Sequence, residues 1–214
     1  MNKNIKIENL EKNIPIFPLS DCLLLPSGTV TLNIFEPRYL SMTEDAIASN
    51  RLIGMIQPIK NKIHKTKLYD IGCLGKITHF SELKDQKYLI ELTGLCRYRI
   101  IEHSLTDKGY FKANTDYTKY YSDLNYNNKE IPSKLRKEFI VSLKDYFKSQ
   151  HIKADWKIIE KAPSNLLIIS LAQSCPFNPE EKQILLESKD LNHLTDIMVT
   201  LFKIASAGEI KNIN

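Results

Sequence analysis

Between residues 13 and about 118, apolar and polar positions fall in short runs or alternate with a period of two, the pattern of β-strands. Residues 14–19 and 22–25 are apolar runs punctuated by Pro15, Pro18 and Pro26. Proline cannot donate to a ladder, so these runs belong at sheet edges or strand ends. Ser27-Gly28 marks a turn before residues 29–35, which are rich in β-branched and aromatic side chains. Further strands are predicted at 52–57, 71–83, 87–92, 95–101 and 110–117, with Lys84-Asp85-Gln86 as a hairpin loop, Gly94 as a bulge and Gly109 as a turn. Cys96, Tyr98 and Ile100 alternate with Arg97 and Arg99, which predicts that both arginines face solvent. One helix interrupts the series: Pro37 opens it near N1, and Tyr39, Leu40, Met42, Ala46 and Ile47 form its apolar stripe up to Asn50.

After Tyr120 the period lengthens. Residues 120–131 are polar and asparagine-rich and read as a linker. Beyond Pro132, the residues Leu135, Phe139, Leu143, Tyr146 and Phe147 share one helical face. A short helix is predicted at 155–161, carrying the sole tryptophan, Trp156, and a segment at 166–172 is apolar on nearly every side, as a buried helix should be. Asn178-Pro179-Glu180-Glu181 is a helix start with a cap, a proline at N1 and acids in the first turn. Asp190 caps a last helix with Leu191, Leu194, Ile197, Met198, Leu201, Phe202 and Ala205 on one face. The expectation is an α+β chain: a β-rich part over residues 1–120 with one inserted helix, and a helical bundle over 121–214.

Length and composition agree with this. The 214 residues are 43% hydrophobic and 26% charged, enough to bury a core without metal or disulfide staples. The formal net charge of +5 raises the possibility of nucleic acid, yet 25 of the 30 basic residues are lysine, and arginine is the side chain that grips phosphate and guanine with two bonds. The densest basic cluster, Lys60, Lys62, His64, Lys65 and Lys67, lies between apolar runs and reads as a solvated loop. The N-terminus has no signal-peptide core and no run approaches the ~20 residues of a membrane span, so a cytoplasmic location is expected.

Candidate chemistry is sparse. Cys22, Cys73, Cys96 and Cys175 form no CxxC pair and sit beside Leu23, Leu74, Leu95 and Phe177, the setting of buried reduced thiols. Phosphate-cradling, nucleophile-elbow and HExxH motifs are missing, so no catalytic residue, cofactor or metal is expected. His79 and His103 with Cys73 or Asp70 are the one constellation that a fold could assemble into a small-ligand enzyme site.

The run Ile14-Pro-Ile-Phe-Pro-Leu-Ser-Asp-Cys-Leu-Leu-Leu-Pro26, with Leu32-Asn-Ile-Phe-Glu-Pro-Arg-Tyr-Leu40 after it, resembles the opening of the Lon N-terminal, or substrate-binding, domain family. Ile71-Gly-Cys-Leu-Gly-Lys-Ile77, Leu92-Thr-Gly-Leu-Cys-Arg-Tyr-Arg-Ile100 and the stretch from Leu171 to Glu187 match further segments of stand-alone members. Cys73 stands where the family usually has threonine. The resemblance implies a PUA-like β pseudo-barrel followed by a small helical bundle. It also implies a part in choosing protein substrates. The ATPase and Ser–Lys protease domains of full-length Lon are not among these residues, so a non-catalytic module is expected. Its partner would be an unfolded or extended polypeptide or a protein of the proteolysis machinery, held by apolar contacts and strand addition. The candidate contact residues are Phe35, Glu36, Arg38 and Tyr39 at the turn into the first helix, and Arg97 and Arg99 on one strand. RNA binding is the alternative, because PUA-like barrels often hold RNA and the chain is basic.

Overall fold

A computed structural model describes residues 10–59, 67–128 and 130–210. It contains strands β1 (Asn13–Pro18), β2 (Thr29–Ile34), β3 (Leu52–Ile56), β4 (Pro58–Ile59), β5 (Lys67–Leu68), β6 (Ile71–Leu83), β7 (Lys87–Leu105) and β8 (Phe111–Asp116). The helices are α1 (Pro37–Ala48), α2 (Ser133–Ser149), α3 (Trp156–Lys161), α4 (Ser164–Ser174), α5 (Pro179–Leu186) and α6 (Leu191–Ile210). Contacts divide the chain into two compact units, Met1–Tyr126 with Phe177–Leu186, and Asn127–Pro176 with Glu187–Asn214. The expected contiguous division at 120/121 differs in two respects: residues 121–126 and α5 both fall in the unit of the sheet. Of the basic cluster, Lys60, Lys62, His64 and Lys65 lie outside the described residues.

The first unit is a closed sheet in the order β2-β7-β6-β3-β1-β8, with β7 pairing a second time to β8. Only the β1–β3 pair is parallel. Closure depends on the length of β7, where the sequence suggested two strands. Residues 87–99 pair with β6, and residues 99–105 pair with β8. Register shifts at Leu74/Gly75, Ile77/His79 and Ile100/Glu102 supply the bending that closure needs. Gly94 lies so close to the Leu25 carbonyl that a Cβ there would overlap it, and its N–H donates to the Gly28 carbonyl at 2.8 Å. Residues 23–25 therefore run against the sheet as buried irregular backbone, with Leu23, Leu24 and Leu25 filling the interior.

Inward positions build the core: Ile14, Ile16, Leu52, Leu74, Cys96, Tyr98 and Ala113 are all buried in one cluster. The Tyr98 hydroxyl donates to the Met55 carbonyl at 3.1 Å, which keeps a polar atom satisfied inside it.

In the second unit α2 and α6 pack through aromatic rings, Tyr146 stacking on Phe202 at 4.8 Å and Phe139 lying 5.8 Å from the same ring. Asp155 caps α3 by accepting from the N–H groups of Lys157 and Ile158. Arg136 of α2 ties down the α3–α4 turn, donating to Ser164 Oγ at 2.6 Å and to the carbonyls of Ala162 and Glu160 at 2.7 and 2.9 Å. Among the described residues no helix is long and apolar enough to cross a membrane, and no group of three or more His, Cys, Asp or Glu is placed to hold a metal.

Candidate functional site

The turn from β2 into α1 is set by strand alternation. Leu32 and Ile34 point inward and are buried, so Phe35 emerges on the other side, 62% exposed. Glu36 holds the N-cap position at φ −74°, ψ 133°, but its carboxylate does not cap the helix. It accepts instead from Arg38 Nη2 at 2.7 Å and Nε at 3.1 Å. Both side chains are nearly half exposed, so the pair contributes only up to about 1 kcal/mol and can exchange its partners. The Arg38 guanidinium lies 4.5 Å above the Tyr39 ring, and that ring packs 4.3 Å from Phe17. Tyr39 is buried, and desolvation pushes its phenol up, with Arg38 opposing and Glu36 reinforcing the shift. Tyr39 is thus the floor under Arg38 and is not itself presented to solvent.

The β7–β8 hairpin tip meets α1 further along. Asp45 accepts from Lys108 Nζ at 2.7 Å and from the Tyr110 hydroxyl at 2.8 Å. These two hydrogen bonds lower the Asp45 carboxyl below the usual range, and burial together with the Asp45 bond pushes the Tyr110 phenol up to about 12. Gly109 adopts φ +81°, the left-handed residue of a three-residue hairpin loop, and a Cβ there would touch Arg38. Phe35, the Glu36–Arg38 pair and this tip form one exposed, mixed apolar and charged surface.

Arg97 is not on that surface, nor on any other. The alternation reading expected it in solvent, whereas it is 4% exposed. It does point away from Cys96 and Tyr98, as alternation requires, but the outer side of β7 is covered there. Asp123 receives Arg97 Nη2 at 2.7 Å, Nε at 2.8 Å and the Arg97 backbone N–H at 3.0 Å. The Leu186 carbonyl at the end of α5 accepts from Nη1 at 3.1 Å, and the Tyr120 ring lies 4.7 Å from the guanidinium. The first part of the stretch 120–131, expected as a linker, therefore belongs to 3₁₀ turns that begin at Thr118 and pack on the barrel through Tyr120 and Asp123. The missed partner Asp123 carried no periodic signal, since it sits in a polar stretch and acts by a single contact.

Arg99 is exposed, opposite Asp116 in the β7–β8 ladder. Leu105 lies six positions further along β7, about 20 Å of strand, so Arg99 stands apart from the α1 group. The constellation of His79, His103 and Cys73 does not assemble. Cys73 is buried beside Cys96, and burial pushes both thiols up, Cys96 to about 12. His79 pairs with Glu91, while His103 lies twelve residues further along β7, about 40 Å of strand away.

Residues 13–201 match the family model of the ATP-dependent protease La (LON) substrate-binding domain. The Lon protease of Syntrophus aciditrophicus is 24% identical over 89% of this chain, and that of Dictyoglomus thermophilum 29% identical over 51%. The matched regions are 25% and 14% of those proteins, so the chain spans a quarter or less of these curated relatives. Two solved structures share the fold. The Lon N-terminal domain protein of Xanthomonas campestris has a TM-score of 0.62 at 19% identity, covering 87% of this chain and 96% of that one. The N-terminal domain of Mycobacterium avium complex Lon protease has a TM-score of 0.64 at 14% identity, covering 90% and 98%. These likenesses lend no support to RNA binding.

Proposed function

Because the chain belongs to the ATP-dependent protease La (LON) substrate-binding domain family, we propose that it is a non-catalytic module that recognises unfolded or extended polypeptide. The observation that carries this reading is the family match over residues 13–201, the part of its relatives named for binding substrate. The exposed surface at the β2–α1 turn supports it: Phe35 offers an aromatic contact, and Glu36 and Arg38 offer a charged pair that can open toward a guest. Arg99 is the second proposed contact, on a separate part of the barrel. Tyr39 and Arg97 serve the reading indirectly, by holding Arg38 and the barrel wall in place. The cytoplasmic location expected from the sequence suits such a module, as do partners drawn from the proteolysis machinery.

Fluorescence anisotropy with labelled β-casein, an extended polypeptide, tests the reading directly. Saturable binding in the micromolar range, absent for a folded control such as lysozyme, is the expected result. No binding to β-casein or to other unfolded proteins, together with no protein co-purifying from cells, refutes it.

A further inference from the structure

β7 outruns the strand beside it. Its pairing with β6 ends where Arg99 stands opposite Ile71, and a last bond runs from the Ile100 N–H to the Asp70 carbonyl at 2.8 Å. From Ile101 to Leu105 the strand is held on one side only, by β8, and no other described strand lies on its free side. Which backbone groups face that side follows from the alternation of bonded and non-bonded pairs in an antiparallel ladder. The Thr106 N–H donates to the Tyr110 carbonyl at 2.8 Å, and the register steps back through Leu105↔Phe111 and Ser104↔Lys112 to His103↔Ala113. Ser104 and Glu102 are therefore the residues bonded to β8.

The far side of β8 gives the same answer. The Thr115 N–H is committed to the Lys12 carbonyl at 2.9 Å, so Ala113 and Phe111, of the same parity, turn their backbone groups toward β1. The N–H and C=O of His103 and Leu105 consequently point outward, two donors and two acceptors about 6.7 Å apart along the strand. All five residues are exposed, with Ile101 at 63% and Leu105 at 61%.

Sheet edges are normally guarded by charges, prolines or bulges. Here the guard is partial: a bulge at Ile100/Glu102 and one carboxylate, with no proline or lysine from 101 to 105. The tip beyond is pinned to α1 through Asp45, so the edge is preformed.

We propose that the free edge of β7 at residues 101–105 captures an extended polypeptide segment by strand addition, with Ile101 and Leu105 touching apolar side chains of the guest. The proposal rests on the polypeptide-binding reading above and gives it a mode: backbone bonds that any sequence can make, with a bias toward apolar residues. A second folded copy is a poorer occupant. Five residues of edge span about 17 Å, the length of one short strand, whereas a stable interface between folded copies spreads over ~1,200 Å² or more.

The test uses the full chain and labelled β-casein. His103→Pro deletes one outward donor and obstructs the edge while sparing every bond to β8; casein affinity should fall at least tenfold with the circular dichroism unchanged. Hydrogen exchange on the unaltered protein needs no variant: the His103 and Leu105 amides should exchange fast when free and at least fivefold slower with casein. Casein binding that His103→Pro leaves intact, or that brings no protection at these two amides, overturns the edge proposal and leaves the polypeptide-binding reading standing. If casein does not bind at all, that reading fails and the edge proposal goes with it. Protection at the same amides in a casein-free dimer seen by sedimentation overturns the guest in favour of a second copy.

Discussion

Replacing Asp123 by alanine should destabilise the barrel more than almost any other single change. The Asp123 side chain is fully buried, and that of Arg97 is 5% exposed. Asp123→Ala strips the guanidinium of two charge-assisted hydrogen bonds and leaves the Arg97 backbone N–H without its acceptor. Removing one member of a buried ion pair costs about 3–5 kcal/mol, because the remaining charge stays desolvated. Urea unfolding with a slope of about 2 kcal/mol per molar would then show a midpoint lower by roughly 1.5–2.5 M. Hydrogen exchange at β6 and β7 amides should localise the loss to the first unit. The double change Arg97→Met with Asp123→Leu should recover much of it by removing both charges. Recovery should be incomplete, since the Leu186 carbonyl loses its donor at a cost of about 1–3 kcal/mol. A loss under about 1 kcal/mol for Asp123→Ala, or a double variant no better than the single, would refute the assignment of this pair as the clasp of the unit.

Gly94→Ala should cost about 2 kcal/mol or more, because its Cβ would overlap the Leu25 carbonyl and neither backbone can move freely; thermal unfolding gives the comparison. Asp45 has a depressed carboxyl in the folded state, so its stabilising effect is present above the usual carboxylate range and is lost as pH falls through the lowered folded value. Urea midpoints measured from pH 6 down to pH 2 should therefore drop less steeply in Asp45→Asn than in the unaltered chain. Among the four thiols only Cys22 is partly exposed, and desolvation raises its pKa too. Ellman's reagent at pH 8 should modify at most this one in the native protein, slowly, and all four after unfolding; rapid loss of two or more native thiols contradicts the burial.

Most of the strands, the inserted helix and the caps at Asn178 and Asp190 were legible because each follows from local pattern. Asn178 and Glu181 even exchange reciprocal bonds, Glu181 N–H to Asn178 Oδ1 at 2.8 Å and Asn178 N–H to Glu181 Oε2 at 2.9 Å. Arg97 shows where pattern stops. Alternation correctly gave its side of β7, but exposure depends on what lies over that side, and the cover comes from residues 26 and 89 positions away. Residues 120–131 looked like a linker because their composition is polar, although Tyr120 and Asp123 are buried by one strong pair and one ring contact. At the candidate surface the sequence offered Phe35, Glu36 and Arg38, and it hid the tip that completes them. Asp45 and Lys108 are ordinary charged residues until closure of the sheet sets them 2.7 Å apart. The free edge of β7 was equally hidden, since it exists only because β6 begins too late to cover it.

The placement of α5 bears on how the molecule is made. Lys182 donates to the Asp21 carbonyl across 161 positions, and Gln183 to the Ile71 carbonyl across 112. A ribosome releases β8 about seventy residues before it releases Leu186, an interval of about 4–14 s at ~5–20 residues per second. Throughout that interval the nascent barrel has all its strands but lacks the helix whose last carbonyl receives Arg97. A fragment ending at residue 126 should consequently be far more sensitive to protease than the same residues in the finished chain, and adding back a peptide of residues 177–186 should restore part of its resistance.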